Sequence, residues 1–158
     1  METLVIADGP LNFESTGRGL AVGLIKRITQ LYLPSALVPV VAGLPPGTRT
    51  PLFAIRKKLP RYAWFLRLAP VRPAEADFHG LVRLEVHESL GKEKAQALAD
   101  LTTGLLPRFA PPRARDPRSP QNLLPISALE GRLRRELGDP LLLRRWIEDV
   151  VTKEVVSA

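Results

Sequence analysis

The sequence predicts an α/β fold in which a sheet of about five strands is followed by C-terminal helices. Three observations point to it. Short runs rich in β-branched, aliphatic and aromatic residues, punctuated by Gly and Pro, fill residues 1–88. From about residue 89 the apolar period changes from strand-like to helical. The 158 residues, 45% hydrophobic and 25% charged, match one globular domain with a sizeable core. No internal repeat and no detachable linker interrupts the chain, so a single domain over 1–158 is expected, strand-rich over 1–88 and helical over 89–158.

The first strand is expected at residues 3–8, closed by the turn signal Asp8-Gly9-Pro10. Its continuous apolar character suggests a place inside the sheet. Residues 20–28 repeat the pattern and contain Lys26 and Arg27. Residues 31–44 are apolar but broken by Pro34 and Pro39, which predicts a short helix or irregular crossover. Residues 51–56 and 61–69 flank Lys57-Lys58-Leu59-Pro60 as a hairpin, with Tyr62, Trp64, Leu66 and Leu68 on one face and Ala63, Phe65 and Arg67 on the other. A fifth strand spans 78–87.

A helix is expected over roughly 89–106, with Leu90, Lys94, Leu98, Leu101 and Leu105 along its stripe. Residues 107–120 hold five prolines and four arginines and predict a loop. Ser127 and Glu130 form a capping-box pattern ahead of the stripe Ile126, Leu129, Leu133 and Leu137, and Gly138 stops that helix. Asp139 and Pro140 open a last helix, with Leu142, Leu143, Trp146, Ile147, Val150 and Val151 expected to face inward.

Composition narrows the function classes. Lys and Arg number 23 against 16 Asp and Glu, a formal charge of +7, which suits a polyanion such as nucleic acid, an acidic protein surface, or simple solubility. The absence of cysteine excludes disulfides, thiolate metal sites and a Cys nucleophile. The N-terminus lacks the basic region of a signal peptide and no apolar run approaches the length of a membrane span, so a cytoplasmic location is expected. One Met, two Asn and 16 Pro fit a thermophile, although the preference for Arg over Lys fits a GC-rich genome equally well.

No nucleophilic triad, Walker loop, dinucleotide fingerprint or zinc spacing occurs. His79 and His87 stand eight apart, too far along one strand to share a metal. Asp8 ends the first strand, and Gly9 lets the backbone turn away, leaving the carboxylate at the rim of the sheet. There it could ligate a hard divalent cation for phosphodiester hydrolysis, or cap the turn. Glu85 lies among apolar neighbours and needs a metal or an ion pair, for which Arg83 and Arg67 are the candidates. Lys26 could hold a scissile phosphate or sit solvated at the strand end. Two basic segments could track a nucleic-acid backbone: Arg56, Lys57, Lys58 and Arg61 at the hairpin turn, and Arg108 to Arg118, including Arg113 and Arg115, in the Pro-rich loop.

Taken in order, these segments resemble the NurA family of nucleases. Ala7-Asp8-Gly9-Pro10-Leu11 and Val22-Gly23-Leu24-Ile25-Lys26, with Tyr32-Leu33-Pro34, are similar to that family's Asp-Gly-Ser-Leu strand and the Lys-bearing strand after it. Arg49 to Ile55, Tyr62 to Leu68 and Val82 to Glu85 resemble the later strands of bacterial members, and Asp116-Pro117 through Pro125, with Leu129-Glu130, their C-terminal Pro-rich turn and helix.

The resemblance implies an RNase H-like mixed sheet, DNA cleavage dependent on Mn²⁺ or Mg²⁺, a role in DNA repair, and partnership with a HerA-type hexameric translocase in end resection. It assigns Asp8 and Glu85 as metal carboxylates and Lys26 as a catalytic cation. It also implies an upstream half that supplies further carboxylates. The expectation is therefore a nuclease or nuclease half, paired with itself as a homodimer or with a separate N-terminal half. The alternative is a catalytically silent nucleic-acid-binding or adaptor module for such an ATPase.

Overall fold

The computed structural model describes residues 3–11, 19–70, 78–111, 123–139, 141, 142, 144–146 and 148. The chain divides into two compact units, Met1–Leu123 and Leu124–Ala158.

The first unit is built on a five-stranded mixed sheet, as the sequence predicts. Its strands are β1 (Thr3–Asp8), β2 (Gly19–Ile25), β3 (Phe53–Ile55), β4 (Arg61–Arg67) and β5 (Leu81–His87), in the spatial order β1-β2-β5-β4-β3. β1 and β2 are parallel, and every other neighbouring pair is antiparallel. The hairpin expected around residues 57–60 is β3–β4. β1, expected inside the sheet, lies at its edge. Hydrophobicity alone does not separate these cases, because an edge strand can bury one face, and along β1 the more exposed positions alternate at first with partly buried ones.

Strands β4 and β5 form the centre, and residues 63–68 and 81–86 are all buried. Alternation along paired strands divides the side chains into two faces. Val22, Leu24, Val82, Leu84, Trp64 and Leu66 belong to one face. The other carries Phe65 and Leu81, which pack with Val41 of the short helix α1 (Val38–Ala42) and with Ile28, Leu33, Leu44, Phe53 and Phe78. A 3-10 turn at Ser35–Leu37 leads into α1, so the Pro-interrupted stretch forms short helical pieces, as expected.

This second face also buries charge. Arg67 donates to the carbonyls of Leu44 (3.3 Å), Ala42 (2.6 Å) and His79, and so ties α1 and the segment before β5 to the sheet. The sequence offered Arg67 as a partner for Glu85. Its long side chain instead satisfies carbonyls that have no strand neighbour.

Helix α2 (Lys92–Leu105) contacts β4 and buries Ala95, Leu98, Ala99 and Thr102. The stripe is rotated from the expected one, and Leu101 and Lys94 are exposed. Small residues at 95 and 99 permit a close approach, and the Thr102 hydroxyl is satisfied by the carbonyls of Leu98 (2.8 Å) and Ala99 (3.1 Å).

The second unit contains α3 (Leu124–Leu137), which begins one turn earlier than the Ser127–Glu130 pattern suggested. Pro125 fits the first turn, where its missing N–H is no loss. Asp139 starts the next helical segment as expected, its Oδ1 accepting from the Leu141 N–H at 2.9 Å. Leu129, Leu133, Leu137, Leu142 and Trp146 are exposed rather than inward-facing. Leu143, Ile147, Val150 and Val151 lie outside the described residues. Among the described residues no helix is long and apolar enough to cross a membrane.

Candidate functional site

Asp8 is the last residue of β1, and its side chain is 40% exposed. Lys26 follows β2 directly, and its Nζ donates to Asp8 Oδ2 at 2.7 Å. The parallel register sets Asp8 beside Leu24, so Lys26, two residues further, falls on the same face. The Gly9 N–H donates to the Leu24 carbonyl at 2.9 Å, and Gly9, at φ +113°, makes the turn that an L side chain would strain. The rim position expected for Asp8 is thus the one it occupies, with Lys26 as its ion-pair partner.

Glu85 stands elsewhere. Its register partner is Gly23, next to Leu24 on β2, and alternation therefore puts its side chain on the face opposite Asp8. It is fully buried. Arg61 Nη1 donates to Oε1 at 2.5 Å, the Leu11 N–H donates to the same oxygen at 3.0 Å, and Arg83 Nη2 lies 3.7 Å from Oε2. Arg61 reaches it diagonally, since Glu85 pairs with Ala63 and Arg61 with His87. The sequence named Arg83 correctly as a partner and missed Arg61, because only the β4–β5 register shows that residue 61 falls diagonal to 85.

Gly23 makes this arrangement possible. A Cβ there would stand 2.8 Å from the Gly9 carbonyl oxygen and about as close to Leu11 and Glu85 (3.1 and 3.2 Å). The absent side chain lets Gly9–Leu11 cross β2 and deliver the Leu11 N–H to the carboxylate.

Asp8 and Glu85 therefore do not converge on one ion, which corrects the expectation that they form a shared metal pair. The reason is the two-residue period: one step of register separates them by the thickness of the sheet. Among the described residues no three His, Asp or Glu side chains gather as a metal-holding group. One rim carboxylate falls short of the several oxygens that Mg²⁺ or Mn²⁺ takes, so the described residues do not fit a complete centre for either ion.

The cations expected to meet nucleic acid cluster at the β3–β4 turn. Arg56, Lys57 and Lys58 are exposed, and Arg61 follows at the start of β4. Arg113 and Arg115 lie outside the described residues. Two residues that sequence reasoning left aside join the cluster. Tyr32 has Lys57 Nζ 4.7 Å and Arg83 Cζ 4.9 Å from its ring centroid. Gln30 accepts from Arg83 Nη1 through its carbonyl at 2.6 Å and from Lys57 Nζ through its side chain at 3.3 Å. The only early signal was the Tyr-Leu-Pro motif at 32–34, which carried no chemistry by itself.

Compared with models of known protein families and with curated proteins, the chain matches none. The class rests on the structure alone: an α/β protein with a five-stranded mixed sheet and C-terminal helices.

Proposed function

We propose that this protein is a nucleic-acid-binding module of a DNA-processing assembly and that the described residues do not form a nuclease centre of their own. One observation carries the reading. The two candidate carboxylates lie on opposite faces, each already paired with a cation, while Arg56, Lys57 and Lys58 at the β3–β4 turn remain exposed. Clustered cations neutralise phosphates without reading sequence, and the charge of +7 supports the same partner. The setting, end processing beside a HerA-type translocase, rests on the NurA resemblance.

The test is binding against cleavage. The chain should bind DNA at low salt with or without Mn²⁺, and Asp8→Asn should leave that binding unchanged. Absence of DNA binding by the wild-type protein at low salt would refute the module reading.

A second reading, half of a Mn²⁺- or Mg²⁺-dependent nuclease, is favoured by the place of Asp8. It is exposed at the end of an edge strand, beside Lys26, where carboxylates from outside the described residues could join it. Under that reading, Mn²⁺ at millimolar concentration broadens the amide resonances of residues 8–9 and 24–26, and Asp8→Asn abolishes the effect. Unchanged resonances in the wild-type protein would remove this reading and leave the first intact.

A further inference from the structure

Beneath the β3–β4 turn the sheet buries more positive than negative charge. Arg61 and Arg83 converge on the single carboxylate of Glu85, with side chains only 13% and 8% exposed. Among the described residues, their Nε atoms and Glu85 Oε2 are buried without a hydrogen-bond partner. Burial, reinforced by the neighbouring Arg61, lowers the pKa of Arg83 from its ordinary value, against the opposing pull of Glu85 and Tyr32. Lys57 adds a third cation over the Tyr32 ring. Tyr32 is the one described non-glycine residue at positive φ, +58°, a conformation that persists only where its surroundings impose it.

An open cavity of about 380 Å³ adjoins the cluster, lined by Lys58, Leu59, Pro60, His87, Glu88 and Ser89. His87 is the register partner of Arg61, which places the cavity at the Arg61 end of the sheet. Among the described residues, the acidic groups facing the assembly are Glu85 beneath and Glu88 at the cavity, two carboxylates against Lys57, Lys58, Arg61 and Arg83. Buried positive charge that a single carboxylate does not balance favours an anion at the exposed lysines above it.

We propose that Lys57 and Lys58 form a phosphate subsite, seated on the buried Arg61–Glu85–Arg83 cluster and on Tyr32, which takes one phosphodiester of a nucleic-acid strand. The subsite rests on the module reading for the source of its phosphate but not for its chemistry. The two lysines supply charge at the mouth, and the buried Arg61 and Arg83 add positive field beneath them. Tyr32 is a positioning residue: its ring fixes Lys57 beside the buried pair. Asp8 is on the other face, so a strand held here is not presented directly to that carboxylate.

The experiment measures anisotropy of a labelled oligothymidylate with the full chain across a salt series, alongside amide shifts on titration with inorganic phosphate. Lys57→Gln should lower the salt slope by about one, whereas Lys92→Gln on α2 should change it less. Tyr32→Ala should weaken binding without changing net charge, and Tyr32→Phe should restore it. Equal slopes for Lys57→Gln and Lys92→Gln, or wild-type affinity in Tyr32→Ala, would mean diffuse attraction and overturn the subsite while leaving the module reading standing. Shifts at residues 57–61 with inorganic phosphate but no oligonucleotide binding would uphold the subsite with free phosphate as its ligand and sink the module reading. No response to either probe overturns both.

Discussion

Gly23 shows how much can depend on one missing methyl group. Adding a Cβ at that position meets the Gly9 backbone oxygen at 2.8 Å, and backbone cannot yield as a flexible side chain can. Gly23→Ala should cost about 1–3 kcal/mol through overpacking, seen as a lower urea midpoint at unchanged m-value. Gly104 in α2 is the counterpart: nothing lies within 4 Å of a Cβ built there, and Gly104→Ala should stabilise by about 0.5–1 kcal/mol.

Asp100 supplies a pH-dependent residue. Its carboxylate accepts from Arg49 Nη2 at 2.6 Å and from the Gln96 amide, and these hydrogen bonds hold its pKa below the ordinary carboxylate value. A depressed folded-state pKa means that the contribution is present above the unfolded-state pKa and is lost as pH falls through the folded one. Asp100→Asn should therefore lower the melting temperature near neutral pH and converge with wild type in acid. A difference that persists unchanged in acid would exclude this linkage.

At the scale of elements, two buried arginine systems hold the second face of the sheet. Arg67 joins β4 to the carbonyls of Ala42, Leu44 and His79, so Arg67→Met leaves three acceptors without their donor. A loss of about 3 kcal/mol or more is expected in denaturant unfolding. Glu85 links β5, β4 and the Gly9–Leu11 crossing. Glu85→Gln keeps the shape but strands Arg61 and Arg83 as buried cations, and should cost about 3–5 kcal/mol. Removing both charges of the Arg61–Glu85 pair together with apolar residues should recover part of that loss, a non-additivity that a double-mutant cycle measures.

For the molecule as a whole, the two tryptophans provide one reporter in each unit. Trp64 is fully buried in the sheet, whereas Trp146 is 66% exposed in the second unit. Acrylamide should quench Trp64→Phe, which retains Trp146, readily, and should barely quench Trp146→Phe until it unfolds. Trp64 Nε1 has no acceptor among the described residues, so Trp64→Phe removes a buried, unsatisfied donor, and its cost comes mainly from lost volume. Equal quenching of the two variants would contradict the difference in burial.

Strand and helix segments were largely legible in the sequence because periodicity and turn residues act locally. The five strands, the β3–β4 hairpin, the turn at Asp8-Gly9 and the cap at Asp139 all follow from neighbours within a few positions. The rim position of Asp8 and the exposed cations at 56–58 followed from the same local chemistry. Register and strand order were not legible, because they depend on which distant segments pair. Only tertiary structure put β1 at the edge, set Arg61 diagonal to Glu85, brought Tyr32 against Lys57 and Arg83, and separated Asp8 from Glu85 across the sheet. Composition and local pattern determined the elements and the surplus of positive charge. The pairing of strands, where one residue of register exchanges the two faces, decided which charges meet.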